Sequence, residues 1–496
     1  MVIKKRENLL ENEFFLIVTK IDEVLSTLNK ESSEYLKVLS MKASLLYEKA
    51  KIYLGTNQYE KSKECLENSL NLILEHSVDP QIAFLYLRIV NYLSYVLSRL
   101  GEFERAKTLL EKVVNDGVTC EPNIYSTEDL FSNTKAEEAV AKSKMDKIMI
   151  NNTQMLGWIY GKLGLNDMYA VMQYKSLQKE LDLNDGDPVQ WAIRCYRLAS
   201  LFLAEGKWKS ARYHLAASQA VLDPLEAGVT PNPLVYRAQA ELARIWVNYG
   251  LYLFSVSRKA VLDNKWDDGT GTKGETKDVE KQSEDVPETS DGFKFTGLEV
   301  NVPSVPVSEI RGNEEAKSLF LHTHKWLKRA RLYYTLRDYP IQYVNIVLEL
   351  SELYRLLAFY ESDIDAQYSL QKKRYETLEA LSGILKDVRP NCYVSVCVEL
   401  IREIIEVQIE LMNLNLKKLY NPCVEVNMNG DELKRRMDAV IDINSKMNSI
   451  DYEDFQHCSE SADLETGTDE VNRVDAEGKP SEKKGDGEGL VEEIRR

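Results

Sequence analysis

A chain of 496 residues that is 44% hydrophobic holds ample apolar material for a core, which excludes wholesale disorder. Its formal net charge of −16 is concentrated: residues 261–300 hold 11 acidic and 5 basic side chains, and residues 451–496 hold 15 and 6. The rest is nearly neutral, so there is no basic surface to argue for nucleic acid. No run approaches the roughly 18 apolar residues of a membrane helix, and the basic start Met1–Arg6 lacks a signal-peptide core.

In chain order, the first repeat signal falls around Ala50. Around Ala50 the pattern reads Ala50, Tyr53, Tyr59 and Ser62; around Ser94 it reads Ser94, Leu97, Phe103 and Ala106, with Arg99-Leu100-Gly101 as the turn. Another copy begins with Gly157 and Tyr160 and turns at Leu163-Gly164. Its second helix drifts, because Asn166 and Tyr169 stand where an aromatic and a small residue are expected. The best match is Ala199, Phe202, Gly206, Trp208 and Ala211. A small residue, aromatics three and nine later, and a small residue twelve later is the arithmetic of a tetratricopeptide hairpin, whose helices cross at the small positions. The crossing residues lie 44, 63 and 42 apart. The usual period is ~34, so these helices are long or separated by insertions, the largest from about Asn115 to Lys135.

A long linking helix at 233–259 completes an N-terminal repeat region, 1–260. An acidic flexible linker, 261–311, follows, rich in turn residues from Asp267 to Gly274. The C-terminal helical region, 312–450, contains expected helices at 312–336, 341–361, 363–386, 391–418 and 430–448, and residues 451–496 read as a disordered acidic tail. The expected fold is therefore all-α: a right-handed, tetratricopeptide-like solenoid of helical hairpins with a divergent C-terminal half.

Nothing in the chain carries chemistry. There is no Gly-rich phosphate loop, HExxH, GxSxG or kinase catalytic loop, so no catalytic residue and no cofactor is assigned. His322 and His324 sit two apart, on different faces of a helix, and Cys392 and Cys397 sit five apart, so neither pair suggests a metal site. The seven Cys are scattered and odd in number, as suits free thiols in a cytoplasmic protein.

If function lies in binding, the template selects the residues. Groove-facing positions lie six and three before each crossing residue and one and four after it. They are Arg88, Asn91, Tyr95 and Ser98; Asn151, Gln154, Trp158 and Gly161; and Ile193, Tyr196, Ser200 and Leu203. Trp158 and Tyr196 are the natural aromatic anchors. Lys207 and Lys209, flanking Trp208 at a turn, are further candidates. The same positions equally suit packing between neighbouring helices, and Trp208 suits an ordinary core aromatic. The basic runs Lys325, Lys328, Arg329, Arg331 and Lys372-Lys373-Arg374 read as solvated faces.

Three blocks carry a resemblance: Asp187-Pro188-Val189-Gln190-Trp191-Ala192-Ile193 with Ala211–Ala217, then Glu241–Tyr249, then Leu357–Asp363 with Lys373–Glu379. In this order, and interrupted by an acidic linker, they resemble the KIF-binding protein family over roughly residues 35–450. The resemblance implies two repeat halves joined by a long helix, binding to kinesin motor domains, and blocked attachment of those motors to microtubules. It also implies cytoskeletal localisation and roles in axon outgrowth and transport in neurons. Family members extend beyond the helix expected at 430–448, so the C-terminal region reads as shortened. The alternative reading is a generic repeat adaptor or co-chaperone. That job asks for a groove lined with Lys, Arg and Asn, whereas this one is mainly aromatic, apolar and small polar.

Overall fold

One turn recurs four times. Asn57, Gly101, Gly164 and Gly206 lie seven residues after Ala50, Ser94, Gly157 and Ala199, and all four have positive φ, between 59° and 84°. In each, the next amide donates five residues back: Gln58 to Tyr53, Glu102 to Leu97, Leu165 to Tyr160 and Lys207 to Phe202, at 2.8–2.9 Å. This left-handed cap satisfies the terminal carbonyls of the first helix and reverses the chain into the second.

In this computed structural model the described residues are 2–420 apart from 31, 78, 117–137, 185, 227–231, 268–292 and 387–393, together with 435, 438 and 441. They form fourteen α-helices and no strands. Helix α1 is Val2–Thr27. The hairpins are α2 (Ser33–Gly55) with α3 (Tyr59–Ile73), α4 (Pro80–Arg99) with α5 (Phe103–Asp116), α6 (Glu138–Lys162) with α7 (Asn166–Leu183), and α8 (Pro188–Ala204) with α9 (Trp208–Glu226). Then come α10 (Pro233–Asp267), α11 (Asn313–Tyr333), α12 (Pro340–Tyr360), α13 (Ile364–Lys386) and α14 (Val394–Tyr420). Two compact units divide between Thr335 and Leu336. No described helix is long and apolar enough to cross a membrane.

In the first unit the small residues let the paired helices approach. Buried Ser62 donates to the Ala50 carbonyl at 2.9 Å, and buried Ser69 to the Ala43 carbonyl at 2.7 Å, so close backbones satisfy hydroxyls that could not otherwise be buried. The drift at the Gly157 hairpin has a physical explanation. Tyr169 replaces the expected small residue, and the missing side chain of Gly161 makes room for it: a Cβ there would stand 3.3 Å from the Tyr169 ring. Helix α8 starts cleanly, with Asp187 accepting from the Val189 amide at 2.9 Å and Pro188 in the first turn.

Two sequence expectations need correction. The boundary expected at 311/312 falls elsewhere, because α11 belongs to the first unit as the partner of α10. Their crossing is so tight that a Cβ on Gly250 would lie 1.9 Å from Thr323 Oγ1. The buried Trp246 and Trp326 rings stack over it at 5.7 Å and 13°. These contacts make a fifth hairpin, whose long insertion conceals it from any search at fixed period. The second correction concerns the linker: α10 runs on to Asp267, and residues 293–311 form an extended segment seated on the repeats, with Phe295, Val305 and Ile310 buried. The acidic tail lies outside the described residues, as does nearly all of the helix expected at 430–448.

The second unit packs α12 on α13 and α13 on α14 around Val344, Val347, Leu378, Leu381, Leu385, Leu400, Val407 and Leu411. Arg374, expected on a solvated face, is wholly buried. Its guanidinium donates to Ser351 Oγ at 2.8 Å and Glu403 Oε2 at 2.6 Å, while Lys372 and Lys373 are exposed. A buried charge needs such partners, and the Glu403 carboxylate compensates this one.

Candidate partner-binding face

The first helices of the hairpins position most of the candidate residues, and their neighbours decide which can meet a partner. Three are committed inward. Asn91 on α4 is 1% exposed and donates to Asn152 Oδ1 on α6 at 2.9 Å; Asn152 in turn reaches the Leu87 carbonyl at 3.4 Å. Gln154 on α6 is buried and donates to Glu180 Oε1 on α7 at 2.7 Å, and the same Glu180 pairs with Arg194 on α8. Tyr196 on α8 is 2% exposed, with its hydroxyl donating to Glu241 on α10 at 2.5 Å and Arg237 on the far side of that carboxylate at 3.0 Å. Burial and the adjacent carboxylate hold the Tyr196 phenol well above the ordinary tyrosine range. Asn91 and Tyr196 therefore join neighbouring hairpins, and Gln154 ties the two helices of its own hairpin through the Glu180 that Arg194 of the next one pairs with. For them the groove-facing expectation gives way to packing, because a slowly twisting stack turns one template face partly onto the next repeat.

The other candidates keep accessible surface. Arg88 is half-buried, its guanidinium over the rings of Tyr47 at 5.2 Å and Phe84 at 5.7 Å. Tyr95 and Asn151 are half-buried, and Ser200 is half-buried with its hydroxyl donating to the Tyr196 carbonyl at 3.1 Å. Trp158 leans on Phe103 at 6.1 Å, with Lys162 Nζ 5.4 Å from its ring. At the α8–α9 turn Lys207 is exposed and bonds Asp167 at 3.0 Å and Glu205 at 2.8 Å, while Lys209 is exposed. Trp208 is half-buried, packed on the buried Tyr249 and the exposed Tyr252. Of the remaining template positions, Ser98 and Leu203 are buried, Ile193 is half-buried and Gly161 is exposed.

Three titratable side chains of the first unit are shifted chiefly by burial. His214 is wholly buried and its Nδ1 donates to the Ser210 carbonyl at 2.8 Å; burial pushes its pKa down to about 4. His322 accepts from Trp326 Nε1 at 3.0 Å and is likewise pushed to about 4, by burial and then by Lys325. His324 instead stacks on Phe320, so the two histidines do not converge. Burial pushes the Cys195 thiol up to about 12. Among the described residues no group of three or more His, Cys, Asp or Glu could hold a metal ion; Cys392 lies outside them.

Sequence reading missed the segment at 293–311 and the Gly250–Thr323 crossing. A signal for the first was available: Phe293, Phe295, Leu298, Val300 and Val302 are nearly alternating apolar residues, the pattern of an extended chain with one buried side.

Stacked hairpins that present side-chain faces define a helical-repeat scaffold. The family model for the C-terminal part of KIF-1 binding protein matches residues 189–435. The chain belongs to the KIF-binding protein family. It is 23% identical over 381 residues to KIF-binding protein of Drosophila melanogaster, an alignment covering 73% of this chain and 62% of that one. It is 24% identical over 405 residues to the Gallus gallus protein, covering 76% and 66%. The chain thus spans somewhat under two thirds of the length of these relatives. A solved structure of kinesin binding protein superposes with a TM-score of 0.54 at 15% identity, over 86% of this chain and 76% of that one, a likeness of fold.

Proposed function

We propose that this chain is a non-enzymatic scaffold that binds kinesin motor domains and blocks their attachment to microtubules, and so regulates transport and cytoskeletal organisation, including that of axons. The observation that carries the reading is the agreement between a helical-repeat architecture and relatives whose name states kinesin binding. Within the first unit the accessible candidates Arg88, Tyr95, Asn151, Trp158, Ser200, Lys207 and Lys209 are the proposed contacts, with Trp158 as aromatic anchor. The acidic stretches at 261–300 and 451–496 would steer basic motor surfaces by long-range attraction.

The test is microtubule co-sedimentation of a panel of kinesin motor domains with and without the purified chain. On this reading some motors leave the pellet and co-purify with the chain in the supernatant. If every motor stays with the microtubules while the chain is folded and helical, the reading fails and a general repeat adaptor takes its place.

A further inference from the structure

The segment Phe293–Ile310 is held as a peptide ligand is held. Seven hydrogen bonds join side chains of the repeats to its main chain. On α7, Tyr174 donates to the Lys294 carbonyl at 2.8 Å, while the Gln178 amide both donates to the Thr296 carbonyl at 3.2 Å and accepts from the Thr296 amide at 2.8 Å. On α9, Tyr213 Oη accepts from the Phe295 amide at 2.8 Å, and Arg212 donates to the Val305 carbonyl at 2.8 Å. On α10, Tyr249 donates to the Pro306 carbonyl at 2.5 Å, and Ser257 accepts from the Ile310 amide at 2.9 Å. Main-chain atoms are common to every sequence, so these bonds recognise an extended backbone, as in other peptide-binding modes.

Specificity comes from two aromatic side chains. In an extended chain residues two apart point the same way, so Phe293 and Phe295 enter the helices together. Phe295 is 6% exposed inside a box of Trp191, Tyr174, His214 and Tyr213, with ring centroids at 5.1, 5.4, 5.4 and 6.1 Å. Phe293 is half-buried against Tyr174 at 5.2 Å and Phe202 at 5.7 Å. The helices forming this box already close their own hairpins, at the Gly164 and Gly206 turns, without help from the segment.

We propose that the face formed by α7, α8, α9 and α10 is a receptor for an extended peptide with aromatic residues two apart, and that Phe293–Ile310 is its resident intramolecular ligand. An external segment of the same chemistry would compete for the face whenever the resident one leaves it. The inference is independent of motor binding, since no motor domain enters its test.

The test uses the full chain carrying Phe293→Ala and Phe295→Ala, and a fluorescent synthetic peptide with the sequence of residues 291–306. Fluorescence anisotropy should show the peptide binding the variant at least tenfold more tightly than wild type, whose face is filled. A peptide with both phenylalanines replaced by alanine should bind the variant at least tenfold more weakly, and Gln178→Ala added to the variant should weaken the native peptide. If the double variant loses its cooperative helical melt, Phe295→Leu, which withdraws the ring from the box but leaves an apolar side chain and Phe293 in place, enters the same assay with the same expectation. A folded variant that ignores the peptide overturns the proposal, as does equal binding to variant and wild type.

Discussion

Replacing Gly250 with alanine is the sharpest perturbation of the fold, because helix propensity and packing push in opposite directions. In an isolated helix the exchange stabilises by about 1 kcal/mol. Here the new Cβ would stand 1.9 Å from Thr323 Oγ1 and 2.8 Å from both Thr323 Cβ and Cγ2. Thr323 is fully buried, its hydroxyl donates to the Leu319 carbonyl at 2.8 Å, and a β-branched side chain in a helix has little χ1 freedom. Rotation would only exchange one clashing atom for another, so α10 and α11 must separate and loosen the Trp246–Trp326 stack. Overpacking of this kind costs about 1–3 kcal/mol and sometimes more, which outweighs the propensity gain. We expect a net loss of roughly 2 kcal/mol. All six tryptophans fall in residues 1–335, so denaturant unfolding followed by tryptophan fluorescence reads the first unit directly. Moving the glycine across the interface, Gly250→Ala with Thr323→Gly, should recover most of the loss and give a favourable coupling of at least about 1 kcal/mol in a double-mutant cycle. A Gly250→Ala protein as stable as wild type would refute the crossing geometry.

Further expectations follow from the same contacts. In the second unit Arg374→Met strands the Glu403 carboxylate and should cost about 3–5 kcal/mol, seen as a lower-temperature phase in the far-UV circular dichroism melt with tryptophan unfolding unchanged. The first unit should lose stability as pH falls from 6.5 to 4. His214 and His322 are held near 4 when folded and titrate near 6.5 when unfolded, so the unfolded chain binds more protons in that window; each contributes on the order of 3 kcal/mol, and His214→Phe should flatten the slope. Trp158→Ala should weaken capture of a motor domain by roughly tenfold or more with helicity retained, whereas Tyr196→Phe should leave motor affinity unchanged and lower stability by about 1 kcal/mol. Pull-down and thermal melts on the same two proteins separate these outcomes.

The hairpins were legible because their signals are local. A crossing residue, a reversal seven positions later and a second helix all fall within a few turns, and helical periodicity located α12, α13 and α14 for the same reason. The fifth hairpin was not legible, because Gly250 meets Thr323 across an insertion and no window joins them. The exposure of the candidate face was only half legible. The template finds positions on one side of a helix, but Asn91 and Tyr196 show that a neighbouring hairpin can cover that side, and Gln154 that the paired helix can. Arg374 has an equivalent lesson: its neighbours Lys372 and Lys373 are solvated, and its burial is explained by Ser351 and Glu403, 23 and 29 residues away.

The α10–α11 pairing also sets a timetable. The first four hairpins close over short chain separations and can form as they emerge during synthesis. Trp246 must wait for α11, because its ring partners His322 and Trp326 lie there and Trp326 is about 80 residues downstream; at ~5–20 residues per second that interval is on the order of 4–16 s. For those seconds a nascent chain leaves the Trp246 ring without the α11 side chains that cover it. Such a chain would depend on chaperones at one defined stage of translation, and a pause placed between codons 267 and 313 would prolong that stage.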